Sequence, residues 1–366
     1  MELSTLLNEM TERKSSDLHL VVGQPPAFRI DGLLTRSQGP PLDAVTIEAL
    51  LRPHLSPEQQ ETLTQQRRDV DVVLRQNDRA FLCHVFRDRN GLGAAIRPGL
   101  QEPPTIELLY GEGKVADTLR AILNSPRGLI LVTGPSGCGK ETTSAALLET
   151  INRSRPARIV TVEDTLGYAL VSKQSLITQR TVGQDVESYE RAIISAMESD
   201  MDILYIKELR TLEAAHMALH AAESGHLVFT VMHTENAQET VERLIESFPA
   251  GLHNTIRGML ARTLVAIVSQ RLVERADRPG RVPANEILLA TPAVRRMIAE
   301  GKTELALAIA AGRDQGMQTM DDSLLDLYRS GKIRYETAWA QMENLERLGP
   351  YPGEPEKTEP EGSATG

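Results

Sequence analysis

Residues 134–142 read GPSGCGKET and follow an apolar run at 128–132, GLILV, which has the length and branching of a buried strand. Gly134, four residues, then Gly139 and Lys140 is the spacing of a phosphate-cradling loop: backbone N–H groups wrap a polyphosphate and the lysine reaches its outer oxygens. Glycine is needed where the backbone turns tightly around a ligand. A Gly-rich turn between strand and helix would account for the same letters, but the strand before and the helix-forming TSAALLET at 143–150 supply the context of a nucleotide site.

One position departs from the pattern. Ser or Thr is expected after the lysine, because its hydroxyl ligates Mg²⁺, and here the residue is Glu141. A carboxylate is a hard Mg²⁺ ligand but brings negative charge toward a negative nucleotide, which costs roughly 4 kcal/mol at about 4 Å and an effective dielectric of about 20. Thr142 is no simple substitute, since one step along a helix turns the side chain by about 100°. The loop therefore predicts binding more strongly than hydrolysis.

Working outward, the chain alternates apolar strands with helices, the pattern of a parallel α/β sheet. RIVTV at 158–162 ends in Glu163 and Asp164, ILYI at 203–206 leads to Lys207 and Glu208, and LVFTVM at 227–232 leads to His233 and Thr234. Ligands of such sheets sit beyond the carboxyl ends of the strands, so these polar residues are expected to meet the loop. Glu208 can orient or deprotonate water, Glu163 can hold Mg²⁺ through water, and His233 can sense a terminal phosphate. A buried, satisfied histidine is the plain alternative for His233.

Before the loop, Leu3, Leu6, Leu7 and Met10 mark an amphipathic helix. Strands are expected at 18–22, 27–30, 70–74, 80–86 and 93–96, helices at about 43–52 and 57–66, and turns at Asp31-Gly32, Asn77-Asp78 and Asn90-Gly91. This gives a small α+β domain over 1–97 and a Pro-rich linker, or an ordered turn, at 98–104. The nucleotide domain is expected to span 105–290, with an apolar stretch at 264–269 and a strand near 285–289; 291–348 reads as helical and 349–366, rich in Pro, Glu and Gly, as a disordered tail.

The net charge of −10 argues against a general nucleic-acid or anionic-membrane binder. The two cysteines, Cys83 and Cys138, build neither a disulfide framework nor a four-thiolate zinc site, which suits a reducing cytoplasmic compartment. The N-terminus has no signal-peptide core, and no stretch reaches the roughly 18 apolar residues of a membrane span.

Order and spacing along nearly the whole chain resemble the PilT family of type IV pilus retraction ATPases. The resemblance is carried by SSDLHL, GQPPAFRIDG, the phosphate loop, TVEDT, QRTVGQD, KELR, AAESGHLVFTVMHTENA, SQRL and GMQTMDDSLLDLY. It implies a RecA-like ATPase domain with a PAS-like N-terminal domain and a C-terminal helical bundle, using ATP and Mg²⁺. Gly134, Pro135, Ser136, Gly137, Cys138, Gly139, Lys140, Glu141 and Thr142 would hold the nucleotide, and Glu141, Glu163 and Asp164 would face the metal. The resemblance further implies that Glu208 is the catalytic glutamate, that His226 and His233 form a histidine box, and that Arg97 approaches nucleotide. It implies a homo-hexamer or a mixed ring with a paralogue, docked on an inner-membrane pilus platform protein, driving retraction and twitching motility. The sequence departs from the family at Glu141, at Ala80 and Leu82 (arginines in the family), Thr165 (proline), Glu198 (arginine), Lys207 (glycine) and Thr211 (aspartate). These changes point to weaker ATP binding or slower turnover, a trend that Lys207 partly opposes. A non-hydrolysing regulatory or structural ring subunit is the second reading; a type II/IV secretion ATPase is the third, disfavoured because its Cys-x-x-Cys zinc elements cannot be built from two isolated cysteines.

Overall fold

The computed structural model describes residues 2–76, 79–99, 102–302 and 304–351. The expected Asn77-Asp78 turn, part of the 98–104 segment and all of the tail beyond Tyr351 lie outside the described residues. Thirteen strands are formed among them: β1 Asp17–Leu20, β2 Ala27–Ile30, β3 Leu33–Arg36, β4 Val70–Gln76, β5 Arg79–Asp88, β6 Gly91–Pro98, β7 Gly128–Thr133, β8 Arg158–Glu163, β9 Leu176–Thr181, β10 Ile203–Ile206, β11 Leu227–Met232, β12 Leu264–Glu274 and β13 Arg281–Leu289. The chain divides into two compact units, one of Met1–Gly111, Leu119–Gly128 and Glu141–Val231, the other of Glu112–Thr118, Leu129–Lys140 and Met232–Gly366.

In the first unit the N-terminal strands form an antiparallel sheet in the order β3-β2-β1-β6-β5-β4. The helix Leu3–Glu12 buries Leu3, Leu6, Leu7 and Met10, the stripe expected from its spacing. These side chains share a core with Leu18, Leu20, Phe28, Val85 and Ile96 from alternate positions of the strands. Asp43 caps the helix Ala44–Leu51, and a Ser56–Gln59 capping box opens the next, Pro57–Glu61. The strand β3 had no separate expectation: all four of its residues are exposed, so it carries no hydrophobic alternation to read.

The same unit holds four parallel strands in the order β11-β10-β8-β9. β10 is buried along its whole length and β8 from its second residue, as strands covered on both faces should be. β9, half-polar and half-buried, is the second strand that the sequence did not mark.

In the second unit the order is β13-β12-β7. β7 and β12 are parallel, whereas β12 and β13 form an antiparallel pair. The apolar stretch expected at 264–269 is the first half of β12, and the strand expected at 285–289 begins four residues earlier, at Arg281. The C-terminal residues are helical, as expected. Met320, Leu324, Ile333, Ala338 and Met342 pack on Val273, Val282 and Ala284 of the β12–β13 pair.

Candidate nucleotide site

β7 delivers the chain to Gly134, and the helix Lys140–Ser154 takes it away. Gly134, Gly137 and Gly139 all have positive φ, at 144°, 76° and 89°. At Gly134 a Cβ would lie 2.2 Å from the Gln270 carbonyl oxygen and 2.6 Å from Cys138 Sγ, so the position requires glycine on two grounds. Pro135, Ser136 and Gly137 are exposed on the outside of the loop, while Cys138 and Lys140 are buried. Lys140 Nζ donates to the carbonyls of Gly134 (2.6 Å) and Pro135 (2.8 Å) and lies 3.2 Å from His233 Nδ1. Lysine has no acceptor, so Nδ1 accepts there. The structure thus brings His233 to the phosphate-loop lysine, whereas His226 turns its Nδ1 to the Ala221 carbonyl at 3.0 Å.

Three buried amides complete the loop's support, and none was singled out as a site residue from the sequence. Gln270 donates from Nε2 to the Cys138 carbonyl (2.5 Å), Asn285 donates to Gln270 Oε1 (3.5 Å), and Gln318 donates to the Asn285 carbonyl (3.1 Å). The Asn285 N–H in turn donates to Ser323 Oγ at 3.0 Å. Gln270 belongs to the SQRL segment and Gln318 to GMQT, which gives those two segments a physical role in holding the loop. An open cavity of about 350 Å³ borders the loop, and Arg271 and Arg281 add positive charge to its wall. These arginines, too, were unmarked by the sequence.

The residues expected around the metal lie in the first unit, and their arrangement centres on Lys207. Its Nζ is 2.9 Å from Glu141 Oε1, 3.1 Å from Asp164 Oδ1, 2.6 Å from the Thr165 carbonyl and 2.7 Å from Thr165 Oγ1. Arg210 holds the other Asp164 oxygen at 2.5 Å and Glu208 Oε2 at 2.9 Å. Burial works against the Lys207 charge, but Glu141 and Asp164 outweigh it and raise its pKa above the ordinary lysine value. Burial likewise opposes the Asp164 charge, and Lys207 and Arg210 overcome it to hold that carboxyl below its usual range.

The charges of Lys207 and Glu141 also reach Glu163. It is 6% exposed, accepts from Thr161 Oγ1 at 2.7 Å and Gln179 Nε2 at 3.3 Å, and burial pushes its pKa up. Thr142 points its hydroxyl to Tyr168 at 2.8 Å. Arg97 is on β6, largely exposed, and pairs with Asp17 at 2.8 Å.

These residues do not fit a divalent cation as arranged. Mg²⁺ is usually held by one or two carboxylates together with waters and phosphates, and here Glu141 Oε1, Asp164 Oδ1 and both Thr165 oxygens face the Lys207 ammonium while Asp164 Oδ2 faces Arg210. A divalent ion about 4 Å from that ammonium would be repelled by roughly 8 kcal/mol at an effective dielectric of about 20.

The family profile described as "Type II/IV secretion system protein" matches residues 2–340. A twitching motility protein of Neisseria gonorrhoeae is 38% identical over 88% of this chain and 86% of its own length. The type IV pilus retraction ATPase PilT of Pseudomonas aeruginosa is 37% identical over 92% of this chain and 97% of its own. This chain is a member of the PilT family. A crystal structure of the pilus retraction motor PilT with bound ADP superposes with a TM-score of 0.83 at 33% identity, over 95% of this chain and 98% of the other. The PilT-family fold of a parallel-sheet ATPase domain, an N-terminal domain and a helical C-terminus is therefore that of this chain. The P. aeruginosa type IV pilus ATPase PilU is also a relative, 31% identical over 95% of this chain and 90% of its own.

Proposed function

We propose that this PilT-family chain is a nucleotide-binding motor subunit that hydrolyses ATP, slowly, to power retraction of a type IV pilus. The observation that carries the reading is the contact of Lys140 with the glycine-loop carbonyls and with His233, at the end of a strand expected to face the phosphates. In this reading residues 134–140 grip the polyphosphate. Glu208, steered by Arg210, orients the attacking water, and His233 registers the terminal phosphate through Lys140. Residues 1–97 act as an N-terminal domain, joined through the segment 98–104 to an ATPase domain, 105–290, that is followed by the helical region 291–348. Arg97, once released from Asp17, approaches nucleotide.

Subunits assemble as a six-membered ring, homomeric or shared with a paralogue, on the cytoplasmic side of a pilus platform protein in the inner membrane. Among the described residues no helix is long and apolar enough to cross a membrane, and in this reading the ring meets the membrane through that partner.

The test is phosphate release from ATP by the purified protein beside Glu208→Gln. Turnover that disappears in the variant supports the motor; no turnover in the parent overturns hydrolysis. The Glu141–Lys207 pair favours a second reading, a subunit that binds nucleotide and regulates an active paralogue without hydrolysing it. Recovery of turnover in the Glu141→Ser, Lys207→Gly double variant would support it.

A further inference from the structure

We propose that the Tyr189 hydroxyl is a positioning group for Glu208, a donor that takes this carboxylate when Arg210 releases it and so sets the angle at which it meets the attacking water. This rests on the reading that Glu208 orients water, and it names the group that holds Glu208 while it does so. Every residue involved lies in the first compact unit. Three observations carry it.

The first is a hydroxyl with nothing to bond. Tyr189 is 7% exposed, and its oxygen is buried without a hydrogen-bond partner. A buried polar atom left unpaired carries a desolvation cost that a phenylalanine of the same shape would not. Such an atom calls for a partner in another state of the site. Burial, and after it the Asp164 charge, pushes the phenol's pKa up, so the hydroxyl keeps its proton and stays available as a donor.

The second observation is where the fold puts it. Tyr189 opens the helix Tyr189–Met197, which Ser188 caps. The next residue, Glu190, accepts from Thr211 Oγ1 at 2.5 Å, and Thr211 follows Arg210 and caps the helix Leu212–Glu223. That bond ties the start of the tyrosine's helix to the segment that carries Glu208 and Arg210. The charges of Asp164, Arg210, Glu208 and Glu163 all reach the hydroxyl.

Third, of the carboxylates that reach it, Glu208 is the one placed to change partners. Asp164 is engaged through both oxygens, Oδ1 by Lys207 and the Thr165 N–H, Oδ2 by Arg210. Glu163 is buried and accepts from Thr161 and Gln179. The Glu208 side chain is 30% exposed, and the arginine paired with it is 52% exposed. An exposed ion pair holds only weakly, so this one can open where the buried contacts cannot.

The experiment compares the full chain with Tyr189→Phe. The variant is expected to lose about tenfold in kcat while KM for ATP stays within about twofold. Its thermal midpoint should be no lower than the parent's, because the atom removed has no partner. An unchanged kcat, the result for a merely structural tyrosine, overturns the proposal, and so does a loss of kcat that comes with a lowered midpoint.

A second readout needs no turnover. In protein carrying [ζ-¹³C]tyrosine, the Tyr189 signal is identified among the seven tyrosines by its absence from Tyr189→Phe. Arg210→Ala should displace that signal as Glu208 turns to the hydroxyl, and adding Glu208→Leu should return it toward the parent position. A signal that Arg210→Ala leaves in place, or that stays displaced once Glu208 is removed, overturns the proposal. A parent that releases no phosphate sinks the hydrolysis reading instead, and the signal still decides whether the hydroxyl engages Glu208.

Discussion

Lys140 Nζ and His233 Nδ1 lie 3.2 Å apart, joining the last residue of the phosphate loop to the residue that follows β11. The lysine is at the same time hydrogen-bonded to two carbonyls of its own loop, so its position is fixed from both sides. His233→Ala is expected to lower kcat/KM for ATP by about tenfold, a loss near 1.4 kcal/mol, while the thermal midpoint stays within about 2 °C. Steady-state phosphate release and a melting curve on the same sample check both parts.

Gly134 allows no side chain. Because an added Cβ would meet the main chain of Gln270 and the sulfur of Cys138, Gly134→Ala must push the loop off β12. Nucleotide affinity should fall by at least about tenfold and stability by about 2 kcal/mol, as for other strained, overpacked sites. Isothermal titration with ADP and a urea melt would measure the two effects.

Gln318 tests support at a distance. Its amide is the far end of the chain Cys138–Gln270–Asn285–Gln318. Gln318→Leu removes the donor to a buried carbonyl, which should cost about 1–3 kcal/mol and weaken ADP binding about threefold although residue 318 is remote in sequence from the loop. Unchanged binding in a destabilised variant would limit the amide to a stabilising role.

A pH effect follows from Glu149. This carboxylate is 1% exposed and accepts from Asn152 at 2.9 Å and Arg153 at 2.5 Å, with Lys173 as a third partner. Burial alone would raise its pKa, yet Lys173, Asn152 and Arg153 reverse that and hold it below the usual glutamate range. A depressed folded value means that the stabilisation is fully present above the unfolded pKa, about 4.3, and is lost as pH falls through the folded one. Glu149→Gln should therefore lower stability by about 1–2 kcal/mol at pH 7, the partly exposed cations limiting the effect. The gap between parent and variant should narrow as pH falls below the unfolded glutamate value and through the depressed folded one. Denaturant melts over that range check the sign.

What the sequence disclosed depended on what carries a pattern. The loop was legible because its three glycines and Lys140 are spaced by the needs of a phosphate, and the buried strands because they are unbroken apolar runs. The exposed β3 and the half-polar β9 have no such run and went unmarked. Glu141, Thr165 and Lys207 each stood out as departures, but only coordinates show that one ammonium binds all three. Gln270, Asn285 and Gln318 follow no periodicity at all. Their partnership arises because the β12–β13 pairing sets Gln270 opposite Asn285, and Gln318 bridges to Ile287 of the same strand.

The two cysteines give the chain a property unrelated to its chemistry. Cys83 is buried in the core of the N-terminal sheet, where burial pushes its thiol up to about 12. Cys138 is 3% exposed inside the phosphate loop, and burial raises its thiol pKa despite the nearby Lys140. Since thiolate is the reactive form, burial slows the reaction of both sulfurs with oxidants and alkylating reagents while the fold is closed. One thiol belongs to each compact unit. The rates at which the two are labelled therefore form a pair of internal clocks, each timing how often its own unit opens.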